Sequence, residues 1–99
     1  MLETKTQPAN IETVKLTDDN LIVALADGRT VSVPLTWYPR LLHGKPGERD
    51  NWQLIGKGEG IHWPDLDEDI SIDNILLGKR SRETQQSLRQ WLERRGSST

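Results

Sequence analysis

Leu21-Ile22-Val23-Ala24-Leu25-Ala26-Asp27-Gly28-Arg29-Thr30-Val31-Ser32-Val33-Pro34 decides the fold. Leu21 to Ala26 is continuously apolar, Arg29 to Pro34 alternates, and Asp27-Gly28 between them is a favoured two-residue hairpin turn. Upstream, Glu12 to Leu16 alternates as well, and Asp18-Asp19 marks a further turn. The pattern predicts a three-stranded antiparallel meander. A two-residue loop places Ala26 opposite Arg29, Ala24 opposite Val31 and Ile22 opposite Val33 on one face. Leu21, Val23 and Leu25 form the other face, which Val14 and Leu16 join if the first turn is tight; a one-residue slip would exchange the faces of the first strand. A middle strand apolar on both faces needs two covers. The expected covers are the domain's own helices on one side and the C-terminal segment or another chain on the other.

Beyond Pro34 the signals are helical and brief. Thr36 is the expected N-cap of a short helix with Pro39 in its first turn, ending before Gly44. Pro46 to Trp52 predicts a second turn of helix, Gln53 to Ile55 and Ile61 to Trp63 short extended segments, and Asp65 to Asp69 a loop. Ser71 is placed to cap a helix over Ile72, Ile75 and Leu76 that stops at Gly78. Ser81 is the expected cap of a last helix carrying Leu88, Trp91 and Leu92 at three-and-four spacing. The expected organisation is a loose leader over residues 1–10, an α+β domain over 11–78 in which short helices pack the meander, and an additional basic C-terminal helix and tail over 79–99.

Composition limits the function classes. With 99 residues there is room for one core, and a chain of this size buries about two-thirds of the surface its unfolded form exposes. The absence of Cys excludes disulfides, thiolate metal sites and a thiol nucleophile. No apolar run approaches a membrane span and the N-terminus lacks a signal core, so the expected compartment is the cytoplasm, with no membrane partner. Net charge is -2, but it is unevenly placed: Asp65, Asp67, Glu68, Asp69 and Asp73 cluster, while Lys79, Arg80, Arg82, Arg89, Arg94 and Arg95 follow.

Three blocks, Thr36-Trp37-Tyr38-Pro39-Arg40-Leu41, Glu48-Arg49-Asp50-Asn51-Trp52 and Gly60 to Ser71 (GIHWPDLDEDIS), resemble the bacterial DUF2442 family across residues 11–78. The family is chiefly one of unknown function. The resemblance implies a compact α+β fold like the N-terminal domain of helix-turn-helix proteins in which some members occur. It also implies an occasional pairing with another small protein in toxin–antitoxin-like gene arrangements. Residues 79–99 suffice for one helix and not for a helix-turn-helix domain, so DNA binding does not carry over.

The residues that bear chemistry each have two readings. Trp37, Tyr38 and Arg40 can form an aromatic platform with a cation beside it, as binding hot spots do. The weightier reading is packing, with Arg40 paired to an acid of the 65–69 stretch, because a chain with no Phe and four Trp must fill its core with indoles. His62 with Asp67 or Asp69 can make a dyad, yet no nucleophile elbow accompanies it, so a histidine bonded at the edge of the core is favoured. Asp65, Asp67 and Asp69 resemble the opening of a calcium loop, but Ile70 stands where Gly is needed and the closing Glu is missing; no metal is expected. Gly56-Lys57-Gly58-Glu59-Gly60 lacks the Lys-Ser/Thr ending of a phosphate loop. The expectation is a non-enzymatic protein-interaction module without cofactor, an antitoxin-like or regulatory partner of another bacterial protein or a self-associating one. The alternative is a nucleic-acid-binding regulator that uses Arg80, Arg82, Arg89, Arg94 and Arg95.

Overall fold

The computed structural model describes residues 9–96. Residues 1–8 of the expected leader and 97–99 of the expected tail lie outside the described residues. The strands β1 (Ile11–Leu16), β2 (Asn20–Leu25) and β3 (Thr30–Pro34) form an antiparallel sheet in the order β1-β2-β3. A 3-10 turn (Leu35–Trp37), α1 (Pro39–Leu42) and α2 (Pro46–Asp50) follow. Then β4 (Gln53–Ile55), β5 (Gly60–Trp63) and β6 (Glu68–Ser71) make a second antiparallel sheet, and α3 (Ile72–Leu77) and α4 (Gln85–Arg94) complete the α+β fold.

The first hairpin matches the sequence reading: Leu16 pairs with Leu21 and Val14 with Val23. The second does not. Leu25 faces Arg29, and the loop holds three residues, Ala26, Asp27 and Gly28. Gly28 closes it at φ 96° while its N–H donates to the Leu25 carbonyl at 3.0 Å. The Asp27 carboxylate accepts from the Arg29 N–H at 3.0 Å and so favours the longer loop. One extra residue changes every pairing, because side chains alternate between faces. Val31 therefore opposes Val23 and Val33 opposes Leu21, on the face with Leu25 and Val14. The remaining face keeps only Ile22 and Ala24, both half-buried, among Thr13, Lys15, Thr30 and Ser32. The sheet is thus apolar on one side, and the expected excess of apolar strand surface is small.

The second sheet corrects the loop expected over Asp65 to Asp69, since Glu68–Ser71 is a strand. Its inward face carries Ile61, Trp63 and Ile70, all buried, whereas Gln53, His62 and Asp69 align across the outward face. The two sheets meet at one backbone seam. The Ile11 N–H donates to the Gly58 carbonyl at 2.7 Å, while the Ala26 N–H, within the first sheet, donates to the Asn10 carbonyl at 2.8 Å. Gly58 sits at φ 98°, and a Cβ there would lie 2.3 Å from the Ile11 oxygen.

The helix ends differ from expectation in two places. α1 begins at Pro39 without a side-chain cap, because Leu35–Trp37 winds as a separate 3-10 turn and Thr36 lies inside it. Thr84, not Ser81, caps α4: its hydroxyl accepts from the Ser87 N–H at 3.0 Å, while the Ser81 hydroxyl accepts from the Glu83 N–H. α3 follows the reading, with the Ser71 hydroxyl accepting from the Asn74 N–H at 3.1 Å and left-handed Gly78 ending it. No described helix is long and apolar enough to cross a membrane.

Gly58→Ala is expected to destabilise the protein by about 2–4 kcal/mol in urea unfolding, since it adds a strained φ to a backbone clash at the seam.

Candidate functional site

Arg40 occupies the centre of the polar architecture. It rises from α1 with its side chain only 13% exposed. Its Nε donates to Glu83 Oε1 at 2.6 Å and its Nη2 to Glu83 Oε2 at 3.2 Å, a bidentate pair in which Glu83 is itself 7% exposed. Nη1 donates to the Asp67 carbonyl at 3.0 Å and lies 3.4 Å from its carboxylate. The guanidinium also stands 5.1 Å from the centre of the Trp91 ring. A second cation, Arg95, lies 4.6 Å from the same ring and pairs with Glu48 on α2 at 2.6 Å. These contacts seat α4 on its own domain, with Trp91 buried and Leu88 and Leu92 packed beside it.

The acids of this network are tuned. Burial raises the Glu83 carboxyl, but the Arg40 guanidinium and the Ser87 hydroxyl outweigh it and hold the group below its ordinary value. Arg95 likewise holds Glu48 low.

Tyr38 is buried, and its hydroxyl donates to the Lys79 carbonyl at 3.1 Å; burial pushes the phenol up. Trp37 is half-buried, with the Arg80 guanidinium 5.3 Å from its ring centre. Tyr38 and Arg40 are thus engaged within the fold, and Arg40 does find an acid of the 65–69 stretch in Asp67. His62 Nδ1 lies 2.5 Å from Asp69 Oδ1, a cross-strand pair of β5 and β6 on the outward face. Of the two partners proposed for His62, geometry selects Asp69, while Asp67 goes to Arg40. Asp67 takes φ 54° in the turn before β6, a left-handed position that Asp tolerates.

Sequence reasoning missed Glu68. Strand pairing sets it opposite Trp63, on the inward face of β6. Half-buried there, its carboxyl makes no hydrogen bond among the described residues. It lines a cavity of about 410 Å³ with Tyr38, Asn74, Lys79 and Arg82. Burial raises its carboxyl most; Arg40 opposes this, and Glu83, Asp69 and Asp67 reinforce it, so that the group is pushed up to about 7. Only the recognition of β6 as a strand could have revealed it, through alternation with Ile70.

The basic residues divide. Arg80 lies against Trp37 and Arg95 is fastened to Glu48, whereas Arg82 opens on the cavity, and the side chains of Arg89 and Arg94 make no hydrogen bond among the described residues. No group of three or more His, Cys, Asp or Glu able to hold a metal occurs among the described residues.

Carboxylates held below their ordinary value stabilise the fold above that value, and the stability is lost as pH falls through the lowered one. Urea unfolding is therefore expected to show stability dropping below the usual carboxylate range. Glu83→Gln should flatten that drop and cost about 2–4 kcal/mol at neutral pH.

Similar folds occur in a protein of unknown function from Rhodospirillum rubrum and an uncharacterized protein from Chromobacterium violaceum. The first has a TM-score of 0.66 at 21% identity over 83% of this chain and 99% of the other. The second has a TM-score of 0.63 at 16% identity over 91% of this chain and 79% of the other. Among curated proteins none matches the chain. The family model for a protein of unknown function, DUF2442, matches residues 11–81, and the chain belongs to that family.

Proposed function

We propose that the protein is a non-enzymatic interaction module whose site is the cavity between β6, α3 and the segment leading to α4. The observation that carries this reading is the lining. Glu68, Asn74, Lys79 and Arg82 converge on about 410 Å³ with their side-chain polar groups unbonded among the described residues. The neighbouring charged side chains Arg40, Arg95 and His62, by contrast, are paired, with Glu83, Glu48 and Asp69. A lining that offers both an acid and bases suits a protein segment bearing both charges, a cation for Glu68 and an anion for Lys79 and Arg82. With charged groups of both signs in its lining, it suits such a segment better than an apolar metabolite. The antitoxin-like or regulatory role belongs to this reading, with the partner another small bacterial protein.

Tagged protein purified from its bacterial host after cross-linking tests the proposal. One stoichiometric partner is expected with the native chain, and its recovery should fall roughly tenfold or more with Lys79→Glu and Arg82→Glu combined. Recovery of no partner at any salt, or of the same partner with the charge-reversed chain, would overturn it.

A further inference from the structure

β6 is an outer strand of the second sheet, paired with β5 on one side only. The ladder shows which of its backbone groups that pairing uses. The Ile72 N–H donates to the Glu59 carbonyl at 2.9 Å, and bonded pairs recur at every second residue along antiparallel strands. Ile70 and Glu68 therefore turn their N–H and C=O groups toward β5, opposite Ile61 and Trp63, while Asp69 and Ser71 turn theirs away. On that outer edge the Asp67 carbonyl is taken by Arg40 at 3.0 Å, and the Ser71 carbonyl, at the N-cap, begins the bonding of α3. The Asp69 N–H and C=O and the Ser71 N–H have no hydrogen-bond partner among the described residues.

The cavity of about 410 Å³ lies along this edge. Glu68, Asp69 and Ile70 all line it. Successive side chains of a strand point to opposite faces, so a space that touches all three runs beside the strand rather than over one face. Its far wall is the chain from Lys79 to Arg82, which forms neither strand nor helix. That wall is fixed: the Tyr38 hydroxyl donates to the Lys79 carbonyl at 3.1 Å, and the Ser81 N–H donates to the Trp37 carbonyl at 2.9 Å. An open strand edge thus faces a basic wall across a preformed slot.

We propose that the cavity takes its partner as an extended segment that adds to β6 as a fourth antiparallel strand, bonded to the backbone of Asp69 and Ser71. This rests on the reading of the cavity as a protein-binding site and says how the partner is held. Charge selects the occupant. A second copy of β6 brings the same two acids, Glu68 and Asp69, to the shared edge, and like charges set opposite one another repel. The segment that fits carries a Lys or Arg opposite Glu68, an apolar residue beside Ile70, and carboxylates toward Lys79 and Arg82. Main-chain bonds then give affinity and the side chains give specificity.

NMR titration of the isotope-labelled full-length chain with the peptide acetyl-Glu-Thr-Val-Thr-Lys-Thr-Glu-amide tests the mode of binding. Pairing its central Thr with Asp69 sets its Lys against Glu68 and its Val against Ile70. At saturation the Asp69 and Ser71 amides should exchange roughly tenfold more slowly or better. Methylating the amide nitrogen of the central Thr removes one edge-facing donor without changing charge, and should weaken binding roughly tenfold or more. Asp69→Pro deletes the outward N–H at a position that an edge strand tolerates and should weaken the parent peptide as much, whereas Asp69→Ala keeps the N–H and should bind within roughly threefold of the native chain. Equal binding of the methylated and parent peptides, lost in Lys79→Glu with Arg82→Glu, would overturn strand addition and leave the cavity's charges as the recognition site. Unchanged Asp69 and Ser71 amides at millimolar parent peptide would also overturn it, while recovery of a partner from the host still decides the wider reading.

Discussion

The partly buried, bidentate ion pair between Arg40 and Glu83 is the constraint on which the rest of the arrangement depends. Desolvating two charges is costly, and the attraction between them offsets that cost only when the geometry is good and the remaining donors are occupied. Both conditions hold. Two guanidinium nitrogens meet two carboxylate oxygens, and a third nitrogen is engaged by Asp67. The pair ties α1 to the segment before α4, so the position of the last helix is set by one residue of a four-residue helix more than 40 positions earlier in the chain. Trp91 then contributes the apolar burial that a polar pair alone cannot supply, with its ring against Arg40 and Arg95.

Two small sheets would each be marginal by themselves, since three short strands bury little surface. They become one core because β1 begins where the β4–β5 turn ends, at the hydrogen bond from Ile11 to Gly58. The inward rows of both sheets then face a common interior that includes Leu35, Leu41 and Leu66, each fully buried. The glycine-rich stretch is therefore a docking point between sheets.

Legibility followed the range of the forces. The first hairpin, the Ser71 cap and the Gly78 stop were readable because each rests on residues within a few positions of one another. The Asp27-Gly28 loop was misjudged by one residue, because the Asp27 carboxylate and the left-handed Gly28 favour a three-residue turn that the dipeptide alone does not distinguish from a shorter one. β6 was hidden in an acidic run: Glu68 and Asp69 are poor strand formers, and pairing with Ile61 to Trp63 overrides their preference. Glu68 was hidden with it. The family resemblance was legible in the same blocks that now build Arg40, Trp63 and His62 into the structure, yet it carried no activity with it. Packing and fastening account for those blocks, and the groups left open lie beside them.

The account stands or falls on the coupling between Arg40 and Glu83. A double-mutant cycle with Arg40→Met, Glu83→Gln and the combined variant, read by urea unfolding at pH 6, measures it directly. The account predicts a coupling of about 2–4 kcal/mol, with each single variant costly and the combination costing little more than either alone. Additivity of the two substitutions within about 0.5 kcal/mol would contradict it.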